Sequence, residues 1–266
     1  MTEPPTSGPQ TSGPLGSGPL ARWKVLGRGD PVTLVVHGLG ATEGEARIPA
    51  AGLPGTRVVV TLPGHGSAPD PDPEFWDYER VAADVRAVAD EVGASRAVGV
   101  SLGAGALTRL AAADPGRFDR LALLLPAALD ELRDERTRAV FGDLAEAVDG
   151  AREDGGRRLR ALVAADLPAG VEVGDHVEQR VQALLRLREA LRRMPDQRVV
   201  ADASALAEVR STALVVGGSG DPMHPAEVAE ATVAALPDAR LEIFPSPAPM
   251  LTHRRDLRAA LVDFLG

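Results

Sequence analysis

The sequence predicts an α/β protein built on a mostly parallel, doubly wound sheet with a helical cap inserted into it. Short apolar runs alternate with helical patterns from Trp23 to about residue 125 and again from about residue 211 to the end. Between about Pro126 and Arg210 the alternation stops, and the chain is helical and charged without a convincing strand pattern. Strands that alternate with helices are typical of a parallel sheet covered on both faces.

The first 20 residues precede this pattern and are expected to form a disordered tail. They repeat Ser-Gly-Pro three times and contain almost no apolar residues, so burial cannot compensate for the entropy lost on ordering. They also lack the basic start and the continuous apolar segment of a secretory signal.

Six segments are predicted to be strands because they are β-branched or leucine-rich runs bounded by glycine, proline or charged residues. They are Val32–Val36, Arg57–Thr61, Ala97–Val100, Leu121–Leu125, Ala213–Val216 and Leu241–Phe244. Helical patterns lie between and after them. Valines at positions 81, 85, 88 and 92 mark one face of a helix that should end at Gly93. Two later helices are expected over Ala226–Leu236 and Leu257–Leu265.

The stretch 126–210 is too long for one crossover connection, which favours a cap over ordinary covering helices. Its arginines are interleaved with acidic residues, which indicates a solvated face rather than an anion site. The predicted organisation is therefore a tail (1–20), a core (21–125 and 211–266) and a helical cap (126–210).

Composition restricts the function classes. The chain has 266 residues, 44% of them hydrophobic, a net charge of −9 and a pI near 5.1, which argues against nucleic acid or an anionic membrane as the main partner. No run of 18 apolar residues is present, so a membrane span is not expected. The absence of cysteine excludes disulfides, a thiolate nucleophile and cysteine metal ligands. We expect a cytoplasmic monomer or homodimer that acts on a small molecule.

Ser101 is the candidate nucleophile. It lies in Val98–Gly105 (VGVSLGAG), between a predicted strand and a predicted helix. This is the G-x-S-x-G pattern of a nucleophile elbow, in which small residues permit a sharp turn that exposes the serine hydroxyl. The helix that follows favours developing negative charge. The alternative is a tight turn whose serine only caps the helix.

Three further segments complete a family pattern. They are His37–Gly40 (HGLG) after the first predicted strand, Leu62–Gly66 (LPGHG) after the second, and Gly217–Pro222 (GGSGDP) after a late strand. Together with the Ser101 elbow, and in this order, they resemble the α/β-hydrolase superfamily over nearly all of Trp23–Gly266. The resemblance implies the α/β-hydrolase fold with a helical cap.

The resemblance also implies roles for individual residues. The backbone N–H groups of Leu39 and Leu102 match the two donors of the oxyanion hole. His37 and His65 match residues that shape loops rather than react. Asp221 falls where the family places its acid, in the order serine, acid, histidine; its alternative role is the N-cap of the next helix.

The base is where this sequence departs from the family. The superfamily usually places it in a Gly-His step soon after the last strand, but here that position falls in the proline-rich run Pro245–Pro249. The leading candidate is His253, farther along the chain. A second candidate is His224, three residues beyond Asp221, because ligands bind at the carboxyl edge of such sheets. His176, in the cap, has no supporting neighbour.

These residues predict a cofactor-independent serine hydrolase that cleaves an ester, thioester or lactone through an acyl-enzyme on Ser101. No H-E-x-x-H or G-x-G-x-x-G motif indicates a metal or a dinucleotide. The low aromatic content and the aliphatic cap favour an aliphatic or medium-sized substrate. The rivals are a lyase or cyclase on the same fold without a complete triad, and a ligand-binding protein.

Overall fold

The computed structural model describes residues 18–167 and 174–266. Its centre is a seven-stranded sheet in the order β1-β3-β2-β4-β5-β6-β7. The first strand is antiparallel to β3 and the other neighbours are parallel, which confirms the predicted mostly parallel sheet. The strands are β1 Arg22–Gly27, β2 Val32–Val36, β3 Thr56–Thr61, β4 Arg96–Val100, β5 Arg120–Leu124, β6 Thr212–Gly218 and β7 Ala239–Phe244.

Strands β2 to β6 are buried along most of their length, because helices cover both faces of the sheet. This explains why their sequences are continuous apolar runs. The edge strand β1 was not predicted. Most of its side chains are exposed, so its sequence RWKVLG carries no continuous apolar signal.

Eleven α-helices are present in the described ranges. The predicted helix that ends at Gly93 is α2; Asp77 caps its start by accepting from the Arg80 N–H, and Gly93 closes it with a φ of 65°. The helices are α1 Glu43–Arg47, α2 Tyr78–Val92, α3 Leu102–Ala113, α4 Glu135–Asp149, α5 Ala151–Asp154, α6 Arg157–Ala165, α7 His176–Leu185, α8 Arg188–Arg193, α9 Ala226–Ala235, α10 Pro249–Thr252 and α11 Arg254–Leu265.

Helices α4 to α8 form a helical insertion between β5 and β6, as expected. The insertion has its own apolar cluster, and Leu39 and Met223 from core loops pack against it. Its arginines pair with exposed acids, as Arg158 does with Asp143 and Glu146. The apolar side of the insertion therefore faces the carboxyl edge of the sheet.

The predicted tail falls mostly on residues 1–17, which lie outside the described residues, as do residues 168–173 of the predicted cap. Where the described chain begins, the N–H groups of Leu20 and Ala21 donate to the Asp84 carboxylate. Burial raises the pKa of that carboxyl. Within the described ranges, no helix is long and apolar enough to cross a membrane.

Candidate active site

Ser101 lies at a strained turn between β4 and α3. Its φ of 50° and ψ of −108° place a non-glycine residue in a conformation that L-residues rarely adopt. The turn is possible because Gly99 and Gly103 lack side chains; a Cβ on Gly99 would collide with the Gly103 backbone, and one on Gly103 with the Val36 carbonyl. The Ser101 side chain makes no capping hydrogen bond, which argues against a mere helix cap.

Backbone strain is concentrated at this edge of the sheet. Ser101 and Leu125 are the two non-glycine residues with positive φ in the described part of the chain. They follow the neighbouring strands β4 and β5, and the Ser101 N–H donates to the Leu124 carbonyl at 2.9 Å. Strained backbone persists where the surroundings enforce it, which is common at functional sites.

The acid loop, residues 217–225 after β6, carries both an acid and a histidine. Asp221 Oδ1 accepts from the backbone N–H groups of Met223 (2.8 Å) and His224 (3.2 Å). Its other oxygen lies 2.7 Å from His224 Nδ1. One carboxylate therefore folds the loop and orients the imidazole that the loop carries.

The second ring nitrogen of the same histidine reaches the serine. His224 Nε2 lies 2.8 Å from Ser101 Oγ. The Asp221 side chain is only 10% exposed and that of His224 17%. Burial raises the pKa of the Asp221 carboxyl, but the hydrogen bonds from the His224 ring and from the two amides outweigh it and lower that pKa below its ordinary value. An ionised Asp221 fixes the tautomer with hydrogen on Nδ1 and leaves Nε2 free to accept the serine proton.

The structure corrects the expectation that His253 approaches Ser101. His253 lies at the junction of α10 and α11, where its Nδ1 is 2.8 Å from Thr252 Oγ1. Its ring packs against Phe244, with centroids 5.5 Å apart. The proline-rich run leads into the short helix α10, which begins at Pro249 and ends just before His253. His176 is also elsewhere, 3.9 Å from Glu45 Oε1.

His37 and His65 hold the loop that follows β2. The His65 Nε2 accepts from the Gly40 N–H at 2.8 Å, and its Nδ1 lies 2.9 Å from the Pro63 carbonyl. The His37 Nε2 accepts from the Leu62 N–H at 3.0 Å, and its Nδ1 lies 2.8 Å from the Gly38 carbonyl. Burial lowers the pKa of both rings, so both are neutral with hydrogen on Nδ1.

The two candidate oxyanion donors flank the serine. Leu102 is the first residue of α3, so its N–H has no acceptor within the helix. Neither this N–H nor that of Leu39 donates to another residue in the described ranges. Gly38 brings the Leu39 loop close, since a Cβ there would lie 3.2 Å from Ser101 Cβ. The arrangement is suited to stabilising negative charge on an oxygen bound beside Ser101.

The insertion supplies an apolar wall. Leu184 packs against Gly40, and Leu187 against Gly64. Thr137 Oγ1 donates to the Pro222 carbonyl at 2.8 Å and so ties α4 to the acid loop. Sequence reasoning did not identify these contacts, because no local pattern says which cap residue meets which loop.

A cavity of about 810 Å³ is lined by residues 77–80 and residues 196–201, and Ser101 is not among its lining residues. The candidate site is defined by the hydrogen-bonded side chains of Ser101, His224 and Asp221, because the reaction needs groups that converge on one point. Over the same residues, no group of three or more His, Asp or Glu side chains is placed to hold a metal ion.

Comparisons with known proteins agree with this architecture. A family model described as the alpha/beta hydrolase family matches residues 33–260. An esterase from Exiguobacterium antarcticum superposes with a TM-score of 0.73 at 19% identity, covering 92% of this chain and 95% of the esterase. A hydrolase from Pseudomonas aeruginosa gives 0.72 at 22% identity, covering 92% and 94%.

A meta-cleavage product hydrolase from Pseudomonas fluorescens gives a TM-score of 0.72 at 17% identity, covering 92% of this chain and 96% of that one. At these identities the likeness concerns the fold. No curated protein matches the chain in sequence.

Proposed function

The chain belongs to the alpha/beta hydrolase family, and we propose that it is a cofactor-independent serine hydrolase that forms an acyl-enzyme on Ser101. The observation that carries the proposal is the chain of two short hydrogen bonds from Asp221 through His224 to Ser101 Oγ, at 2.7 and 2.8 Å. Serine is a weak nucleophile until a neighbouring base takes its proton.

The proposed reaction has two halves. Ser101 Oγ attacks the substrate carbonyl while its proton passes to His224 Nε2, and the N–H groups of Leu39 and Leu102 bind the oxyanion. The tetrahedral intermediate collapses, the bond to the leaving group breaks, and His224 protonates that group. Water then attacks the acyl-enzyme with His224 again as the base, which releases the acid and restores Ser101.

The proposed substrate is an ester, thioester or lactone with an aliphatic acyl group. Leu39 and Met223, which adjoin the reacting residues, pack against the apolar cluster of the insertion. Burial of apolar surface is the interaction that such a wall offers to a substrate, at about 0.8 kcal/mol for each buried methylene.

The main argument for a non-hydrolytic lyase or cyclase no longer applies. That reading depended on the lack of an imidazole near Ser101, and His224 Nε2 lies at 2.8 Å from its hydroxyl. We therefore retain hydrolysis as the single proposed function.

The test is hydrolysis of p-nitrophenyl esters together with labelling of Ser101 by a fluorophosphonate, read by intact mass. The wild type should add one label and turn over esters, and Ser101→Ala should do neither. The matched control is Ser204→Ala, since Ser204 is an exposed serine on the short turn after Asp202 and takes no part in the hydrogen bonds of the site. A wild type that neither labels nor hydrolyses any ester, thioester or lactone would refute the proposal.

A further inference from the structure

Arg133 is a buried arginine at the start of the insertion, between β5 and α4. The residue is 7% exposed. One terminal nitrogen of its guanidinium donates to the carbonyls of Met194 (2.6 Å), Pro195 (3.3 Å) and Gln197 (3.2 Å). The other donates to the Tyr78 hydroxyl at 2.9 Å. A single side chain thus joins the entry of the insertion, its exit and core helix α2.

Ion pairing does not explain the burial of Arg133. No carboxylate pairs with Arg133 within the described ranges, and its Nε has no hydrogen-bond partner there. The Phe141 ring lies 5.6 Å from the guanidinium carbon and offers a cation–π contact. Removing a charge from water is costly, and an apolar residue often serves stability as well. A buried arginine that binds several segments can instead fix the relative position of those segments, here the two ends of the insertion and helix α2.

On its core side, Arg133 connects to the nucleophile. The Tyr78 ring packs so closely on Gly105 that a Cβ there would collide with it. The Gly105 N–H donates to the Ser101 carbonyl at 2.9 Å, in the first turn of α3. The hydroxyl that accepts from Arg133 therefore belongs to the ring that packs directly behind the elbow.

On its insertion side, Arg133 connects to the apolar wall. Phe141 belongs to the same cluster as Leu184, and Leu39 and Met223 pack against that cluster. The guanidinium therefore contacts both the Tyr78 ring system that packs on α3 and the Phe141 ring of the insertion cluster.

The outer side of this junction is open. The cavity of about 810 Å³ is lined by Tyr78 and Leu132 on one side and by residues 196–201 on the other. Val199 and Val200 belong to the same buried apolar cluster as Tyr78, and the hydrogen bonds of Arg133 add a polar connection between these parts.

We propose that Arg133 is a positioning residue that sets the distance between the apolar wall of the insertion and Ser101, and thereby the length of acyl group that the enzyme accepts. The inference rests on the proposed function. It concerns substrate fit and leaves proton transfer to Asp221 and His224.

The test compares Arg133→Met, Arg133→Lys and Tyr78→Phe with the wild type. Arg158→Met is the matched control, because Arg158 is an exposed arginine of the same insertion. Each protein is assayed with p-nitrophenyl esters from acetyl to dodecanoyl, for kcat and KM separately. Fluorophosphonate labelling of Ser101 reports the chemistry, and thermal unfolding reports the fold.

In Arg133→Met we expect the KM for long esters, relative to acetyl, to change by about tenfold, since hydrogen bonds to a charged group are lost. The labelling rate should stay within about twofold of the wild type. Arg133→Lys, which keeps the charge and part of the bonding, should restore part of the profile. Tyr78→Phe should shift it less and in the same direction, and Arg158→Met should not shift it.

A lowered melting temperature with an unchanged chain-length profile would overturn the inference, and so would an equal shift in Arg158→Met. If Arg133→Met does not fold, an unchanged profile in both Arg133→Lys and Tyr78→Phe would overturn it equally. These outcomes differ from failure of the proposed function, in which the wild type itself neither labels nor hydrolyses esters.

Discussion

Two loops leave the carboxyl ends of the neighbouring strands β6 and β7, and each carries a histidine. In the acid loop, Asp221 binds both the backbone and the ring of His224, which reaches Ser101. In the proline loop, residues 245–253, the hydroxyl of Thr252 binds Ser246 and His253, and the ring turns toward Phe244. The polar groups of the acid loop orient the His224 ring toward Ser101, whereas the polar groups of the proline loop bind one another.

In the proposed hydrolase the base therefore lies on the acid loop and not on the proline loop. A histidine three residues from its acid needs no second loop to bring the pair together, because the turn that Asp221 caps already aligns the ring. What the fold must supply is the adjacency of that turn to the elbow. The order of strands β4, β5 and β6 in the sheet supplies it.

The largest effect should come from the acid that sets this alignment. Asp221→Asn keeps the shape of the side chain but allows the wrong His224 tautomer, so kcat should fall by about 10⁴-fold. The control is Asp256→Asn, which changes the acid in the first turn of α11, just after His253. Ester hydrolysis measures both. Equal losses in the two variants would mean that the loss does not come from the alignment of His224.

The pH dependence of stability should report the two buried histidines that hold the loop after β2. Burial lowers the pKa of His37 and His65 in the folded state, so below about pH 6.5 the unfolded state binds more protons. The stability that these neutral rings provide is present above that pH and is lost as pH falls toward their folded pKa. The lowered pKa of Asp221 adds a loss at still lower pH, as that carboxylate is protonated.

Urea unfolding at several pH values measures this. His65→Gln should flatten the fall in unfolding free energy below pH 6.5 by up to about 1.4 kcal/mol per pH unit, the slope for one proton. The expectation fails if the His65 variant keeps the full slope.

The smallest effects should come from two threonine hydroxyls, one that binds the acid loop and one within the proline loop. Thr137→Val removes the bond from α4 to the Pro222 carbonyl and should lower kcat/KM by about threefold, since it loosens the acid loop. Thr252→Val removes bonds internal to the proline loop and should cost about 1 kcal/mol of stability with no change in kcat/KM. Steady-state kinetics and urea midpoints check the pair. A loss of activity in Thr252→Val alone would reverse the comparison.

Most of the sheet could be predicted from the sequence because buried parallel strands require continuous apolar runs. Val32–Val36 was predicted with the bounds that the structure has, and the other predicted strands differ by a few residues at their ends. The edge strand β1 could not be predicted in this way, since Arg22 and Lys24 interrupt its apolar residues and Val25 is itself exposed.

The site was predictable to the extent that it is local. The glycines around Ser101 predict the elbow, and the motif GGSGDP predicts the turn that carries Asp221. The choice between His224 and His253 was not local. It depends on which loop faces the elbow and on the hydrogen bond between the Thr252 hydroxyl and the His253 ring. Neither follows from spacing along the chain. The one sequence signal was that His224 lies three residues from an acid that could orient it.

The most direct test of His224 as the base is the rate of Ser101 labelling by a fluorophosphonate in His224→Ala and in His253→Ala, beside the wild type. If His224 is the base, labelling falls by about 10³-fold or more in His224→Ala, because Ser101 loses its base, and stays within about twofold of the wild type in His253→Ala. Loss of labelling in His253→Ala with full labelling in His224→Ala would contradict the role of His224 and return the base to the proline loop.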